Sequence, residues 1–154
     1  MNVLIAPLTI ETYEGVFALW QQCEGVGLSE SDSKENIRTY LLRNPDMSFI
    51  ATVDDSLAGG ILCGHDGRRG YIYHLAVRPQ YRRQGIARRL VNSCLHSLRR
   101  IGIQKCHIFI FNENQDGIAF WKSLGWTPRH DISVISKNIE PFNALEATLP
   151  RRSL

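Results

Sequence analysis

The side chains best placed to do chemistry lie between Tyr71 and Arg88. In the run Tyr71-Ile72-Tyr73-His74-Leu75-Ala76-Val77, only His74 titrates near neutral pH, which suits it to accept a proton. Its neighbour Tyr73 carries a hydroxyl that can donate and accept hydrogen bonds. Further along, Arg82-Arg83-Gln84-Gly85-Ile86-Ala87-Arg88 opens a helical pattern. The first N–H groups of a helix lack intrahelical partners and sit at the positive end of its dipole. Gly85 lets a ligand approach the backbone, Ala87 keeps the next turn small, and Arg82 and Arg83 add charge. Together these residues suit a phosphate, and best a diphosphate. They also describe a solvated basic helix start whose glycine only shapes the turn, and His74 also reads as a core histidine with its hydrogen bonds met.

Other chemistries find less support. His65, His74, His96, His107 and His130 show no HExxH or Cys/His ligand spacing, so no metal is expected. Cys23, Cys63, Cys94 and Cys106 form no CxxC pair, and three of them fall in runs that read as buried. Reduced core thiols in a reducing compartment follow, with the cytoplasm as the expected location. Neither GxGxxG nor GxxxxGK[ST] occurs. A net charge of +3 is too small to argue for nucleic acid, although arginines gather between residues 68 and 100, as an anionic ligand would require. There is no signal peptide and no apolar run of the roughly 20 residues that a bilayer needs, so no membrane partner is expected.

These residues must be carried by a fold. At 154 residues, 44% hydrophobic and 21% charged, the chain fits one domain with a single sizeable core. Val3 to Leu8 reads as a strand, and Tyr13 to Cys23 as a helix that Gly25 stops. Ser31-Asp32-Ser33 offers N-caps for a second helix reaching about Leu42. Ser48–Val53, Leu57–Cys63 and Tyr71–Val77 read as a three-strand meander, and Pro79 ends the last strand. Ile86, Leu90, Val91, Cys94, Leu95, Leu98 and Ile101 recur in steps of three and four, marking one face of a long helix. Ile103–Phe111 is the next strand, parallel to Tyr71–Val77 because a crossover helix joins them. A short helix begins near Asp116, and Trp126–Arg129 and Ile132–Lys137 can supply final strands. Ile139, Phe142, Leu145 and Leu149 could dock on the body or on a second subunit, and Pro150-Arg151-Arg152 reads as a loose end. The order β-α-α-β-β-β-α-β-α-β-β is an α+β arrangement: a mostly antiparallel sheet with one parallel pair and helices on both faces.

Arg82–Ala87 has the form Arg/Gln-x-x-Gly-x-Gly/Ala and follows Leu75-Ala76-Val77-Arg78-Pro79, a Leu-x-Val-x-Pro strand end. This combination resembles the coenzyme A loop of the GNAT superfamily of N-acetyltransferases, in the manner of its small bacterial single-domain members. The element order matches across about residues 3–138, which implies a single GNAT-like domain over 1–138 and a C-terminal extension over 139–154. The resemblance implies that the two parallel strands splay and that the pantetheine arm lies in the gap. The main chain of Leu75, Ala76 and Val77 would then hold the arm, and Arg82 to Arg88 the diphosphate. Asn114-Gln115-Asp116-Gly117-Ile118-Ala119-Phe120-Trp121-Lys122-Ser123-Leu124-Gly125-Trp126 is similar to the family's Asn-x-x-Ala-x-x-Phe-Tyr-x-x-x-Gly-Phe. Asn114 would bond the arm, unless it is only a helix cap.

Trp121 stands where the family often has a tyrosine that protonates the leaving thiolate, and an indole N–H cannot do this. Trp121 is left to pack or to wall the thioester pocket. A thiol of pKa about 8.5 leaves tolerably well unprotonated, whereas an ammonium of pKa about 10 must first lose a proton. A base therefore matters more than an acid. The family often places Glu or His where Tyr71 and Tyr73 stand here. His74, on the face opposite Tyr73 by simple alternation unless a bulge intervenes, is the candidate base. Glu24 and Tyr71 are candidates for the acceptor pocket; Glu24 is otherwise a solvated carboxylate. What the resemblance implies is transfer from acetyl-CoA to an unidentified primary amine, without metal, by a monomer or homodimer. The alternative is a coenzyme A-binding module that has lost catalysis.

Overall fold

The computed structural model describes residues 1–142. Its ordered elements are β1 (Val3–Pro7), α1 (Tyr13–Gln22), α2 (Lys34–Arg43), β2 (Phe49–Val53), β3 (Ser56–His65), β4 (Gly70–Val77), α3 (Ile86–Arg100), β5 (Cys106–Ile108) and α4 (Gln115–Ser123). The strands form one five-stranded sheet in the order β1-β2-β3-β4-β5. The first four are antiparallel neighbours and β5 runs parallel to β4. The expected mixed sheet with one parallel pair is therefore present.

Each sheet face has its own core. On one side Ile86, Leu90, Val91, Cys94 and Leu98 of α3 meet Ala51, Ile61, Cys63, Ile72 and Val77, and Trp121 of α4 joins them. On the other, Val16, Leu19 and Trp20 of α1 and Ile37 of α2 meet Ile50, Leu62 and Ala76. The helical stripe read from the sequence is buried as far as Leu98, whereas Ile101 is about half exposed. It lies just past the end of α3, where Gly102 turns the chain with φ +86.

Three readings of the sequence need correction. The last parallel strand covers only Cys106–Ile108, not Ile103–Phe111, and Phe109 and Phe111 are more than half exposed. Its partner turns away: β4 carries a bulge beyond Ile72, so a strand continuing past Ile108 has nothing to pair with. Trp126–Arg129 and Ile132–Lys137 form no strands. From residue 127 to 142 no backbone hydrogen bond reaches another described residue, and β propensity without a ladder partner does not make a strand. Ile139 and Phe142 do not dock on the described body, being 92% and 80% exposed. Leu145, Leu149 and Pro150-Arg151-Arg152 lie outside the described residues.

The bulge also matters for position. Gly60 pairs with Ala76 and Leu62 with Tyr73, so Ile61 alone faces both His74 and Leu75. His74 takes up the extra residue with φ +54, a left-handed conformation that is uncommon for a side chain larger than glycine. Alternation is broken there, and consecutive residues no longer point to opposite faces.

Candidate active site

The loop between β4 and α3 starts as a single 3-10 turn, Pro79–Tyr81. It then passes through two left-handed residues, Arg83 at φ +59 and Gly85 at φ +80. Gly85 is the N-cap of α3 and no side chain caps the helix. The first helical bond closes from Arg89 N–H to Gly85 O at 3.1 Å, which leaves the amides of Ile86, Ala87 and Arg88 without a partner among the described residues. A β-carbon at Gly85 would meet nothing within 4 Å, so the space above this turn is open. Arg82 does not stand free beside the helix start. Its Nε donates to Val77 O at 2.9 Å, and its terminal nitrogen reaches Cys23 Sγ at 3.8 Å. It ties the loop to the end of β4, while Arg83, Gln84 and Arg88 are exposed.

The parallel strands part where the bulge begins. β4 pairs with β5 only through Gly70, Tyr71 and Ile72. Arg78 N–H donates to Ala58 O on β3, so by strand alternation Ala76 also faces β3, whereas Leu75 and Val77 turn their main-chain groups toward the unpaired side. The Val77 carbonyl is taken by Arg82, which leaves its N–H. Across the gap, Asn114 Oδ1 accepts from Gly117 N–H at 3.0 Å and caps α4. Its amide nitrogen lies close against the α1–α2 loop: a β-carbon on Gly25 would come within 2.7 Å of it. A β-carbon on Gly27 would touch the ring of Phe111 at 2.9 Å. The Glu24–Leu28 segment thus borders the splayed strands, with Glu24 itself exposed.

The bulge corrects the expectation that His74 lies on the face opposite Tyr73. The His74 ring packs on Trp20 of α1, centroids 5.1 Å apart, and lies 6.4 Å from the Tyr73 ring. Both side chains are on the α1–α2 side of the sheet. His74 Nε2 is 2.7 Å from Asp32 Oδ1, an ion-pair geometry in which the two side chains are 14% and 5% exposed. Asp32 is held from several sides. Its Oδ2 accepts from Ser29 N–H at 3.0 Å, Ser29 Oγ accepts from Ser31 N–H, and the Tyr13 hydroxyl donates to the Asp32 carbonyl at 2.7 Å. Sequence reading took Asp32 for one of three caps of α2. The cap is Ser33, which accepts from Asn36 N–H. The spacing Ser29-x-x-Asp32, a capping box, was the one local signal that Asp32 turns inward.

Tyr71, Tyr73 and Phe109 form an aromatic wall. Tyr71 stacks on Phe109 at 6.2 Å, and Tyr73 meets Phe109 at 6.1 Å and Tyr40 at 6.5 Å. Burial, with Tyr71 and Cys106 nearby, raises the Tyr73 hydroxyl above the ordinary phenol value, so it is a donor rather than an anion at neutral pH. Trp121 lies in the α3-side core, against Trp126 at 4.7 Å and Phe120 at 5.4 Å. No group of three His, Cys, Asp or Glu side chains among the described residues is arranged to hold a metal. No helix among the described residues is long and apolar enough to cross a membrane.

The family described as "Acetyltransferase (GNAT) family" matches residues 13–126. An acetyltransferase of Photorhabdus laumondii is 31% identical over 125 residues, which is 81% of this chain and 87% of that protein. Among solved structures, Ard1 from Thermoplasma volcanium superposes with TM-score 0.73 at 20% identity, covering 82% of this chain and 84% of that one. The PaiA N-acetyltransferase of Thermoplasma acidophilum, in complex with coenzyme A, gives TM-score 0.70 at 20% identity over 80% and 89% of the two chains. With the splayed strand pair, the uncapped helix start and the family match in agreement, the chain belongs to the GNAT family of acetyltransferases and is an acyltransferase.

Proposed function

We propose that this acyltransferase moves the acetyl group of acetyl-CoA to a primary amine by direct attack in a ternary complex. The observation that carries the reading is the co-location of two features along β4. At its end an open helix start follows, and at its middle the strand loses its parallel partner beside a histidine. The residues present fit coenzyme A. The free amides of Ile86, Ala87 and Arg88, with Arg83 and Arg88 close in sequence, would take the diphosphate. The main chain of Leu75 and Val77 would hold the arm, and the Asn114 amide nitrogen its far side. When bound, the thioester supplies an activated acyl group. The protein supplies orientation, an N–H donor for the developing oxyanion and a place for the amine's proton.

His74 is that place in our reading. A neutral amine attacks the thioester carbonyl, the C–N bond forms, the C–S bond breaks and the surplus proton goes to His74, directly or through one water. Trp121, being a core residue, takes no part in proton transfer, and the thiolate leaves without an acid. A base is present, so the missing tyrosine does not reduce the chain to a binding module. Tyr71 and Phe109 would wall the acceptor, and exposed Glu24 would draw its ammonium to the rim. Four free cysteines, three of them buried, support a reducing compartment such as the cytoplasm.

The test is release of free thiol from acetyl-CoA across a panel of primary amines, including peptide N-termini and small aliphatic and aromatic amines. Amine-dependent release above the rate in water supports the proposal. Tight coenzyme A binding with no release from any amine overturns it.

A further inference from the structure

The geometry points to Asp32 as the residue that sets which nitrogen of His74 acts as the base. This rests on the reading of His74 as proton acceptor and goes beyond it. Asp32 lies on a short 3-10 turn between α1 and α2, far from β4 in sequence, yet its carboxylate is buried and reaches the imidazole at 2.7 Å. A carboxylate oxygen can only accept here, so Nε2 carries the hydrogen and donates it. In a neutral ring the lone pair is then on Nδ1. Nδ1 has no hydrogen bond to any described residue.

Asp32 is itself immobilised. One oxygen holds His74, the other accepts from Ser29 N–H, and its backbone carbonyl accepts from Tyr13. The ring it orients is gripped on a flank by Trp20, which is 1% exposed. The groups that face the ring from the packed elements are Asp32 from the α1–α2 connection, Tyr73 from β4 and Trp20 from α1, which does not titrate. Among the described residues Asp32 is thus the one carboxylate paired with the ring. The bulge adds the second half of the argument. His74 sits at φ +54 in the strand, a strained choice for a residue that only fills space. What the strain achieves is to turn the ring from the face that alternation would give it onto the face where Asp32 waits.

Asp32 then does two things for the transfer. It keeps Nδ1 unprotonated and available for the amine's proton. Once that proton arrives, its charge stabilises the imidazolium without itself taking the proton. It is a positioning residue, acting through His74.

Two measurements test this. The first needs no loss of function: nitrogen-15 shifts of the histidine rings in the whole chain at neutral pH, with His74 assigned by comparison with His74→Gln. The expected signature is the Nε2–H tautomer in the native protein and a shift toward Nδ1–H in Asp32→Asn, whose amide can donate to Nε2. A native ring with hydrogen on Nδ1 overturns the inference whether or not any variant folds. The second is kinetic, with the amine found most active. Asp32→Asn should lower kcat/KM on the order of 10²- to 10⁴-fold. Coenzyme A affinity should be unchanged. The double variant Asp32→Asn/His74→Gln should be no slower than His74→Gln alone. Native-like turnover in Asp32→Asn, with His74→Gln impaired, overturns the role of Asp32 but leaves the base. Full turnover in His74→Gln overturns the base. A native enzyme silent on every amine overturns the proposed transfer itself.

Discussion

Gly85 answers two demands at once. Its φ of +80 would strain any side chain, and the open space above it leaves the α3 amides accessible to the anion we propose there. Gly85→Ala carries only the backbone cost, about 1 kcal/mol. Gly85→Glu adds bulk and negative charge at the position we propose for the diphosphate. Titration calorimetry should show coenzyme A affinity falling about 100-fold or more for the glutamate variant and much less for the alanine. Equal affinity in the two would place the diphosphate elsewhere. Trp121 makes a complementary case. Its ring is buried against Phe120 and Trp126, so Trp121→Tyr should cost about 1–3 kcal/mol of stability through lost packing. Turnover per folded molecule should stay level or rise, and a large loss would show that the indole shapes the thioester pocket. At this scale the uncapped, glycine-led start of α3 was legible from residue types alone, because Gly85 directly precedes the helical stripe. Asp32 was not legible, because its partner is 42 positions away and a serine-rich cap disguised it.

At the scale of elements, the site depends on how closely β3 and α3 approach the bulged end of β4. Gly59 lies opposite Val77 with no side chain between the strand and the helix. A β-carbon there would stand 3.0 Å from the Ala76 carbonyl oxygen and 3.1 Å from Leu90 Cδ1. Since a backbone carbonyl in a paired strand cannot move aside cheaply, Gly59→Ala should destabilise by about 1–3 kcal/mol, read from the urea midpoint. It should weaken coenzyme A binding as well, because the displaced segment is the one we propose to hold the arm. An unchanged midpoint would mean that the strand end is already loose. The α3 stripe, the meander and the parallel crossover could all be read ahead of the structure, because periodicity and connection rules are local or nearly so. The bulge could not: it is a mismatch of one residue between β3 and β4, visible only when both are aligned. The shortened β5 follows from that same unseen mismatch.

For the molecule as a whole, buried thiols and phenols set the alkaline limit of stability. Burial pushes Cys106 up to about 12, and the neighbouring Cys63 sulfur, accepting from the Cys94 thiol, together with burial raises Cys94 as well. Burial likewise raises Tyr40, whose hydroxyl has no partner among the described residues, and Tyr73. Each of these groups keeps its proton longer when folded than when unfolded. Their contribution is therefore complete below the unfolded thiol value of about 8.5 and is lost progressively as pH rises beyond it, first for the thiols and above about 10 for the phenols. The urea midpoint should be level from pH 7 to 8 and clearly lower at pH 10.5. Tyr40→Phe should remove part of the loss above pH 10 and, by deleting an orphaned buried hydroxyl, should not weaken the fold at neutral pH. A midpoint independent of pH would contradict the burial of these groups.

The half-open β4 strand has a further bearing on how long the protein lasts. With its parallel neighbour gone after Ile72, the stretch we propose for the arm is held by β3 alone along its edges. An arm lying along that edge would complete the ladder, and a ligand at 100 times its dissociation constant adds about 2.7 kcal/mol to a fold. Cellular thioester supply would then govern the half-life of the enzyme as well as its rate, because in starved cells the empty form would be the one proteases reach.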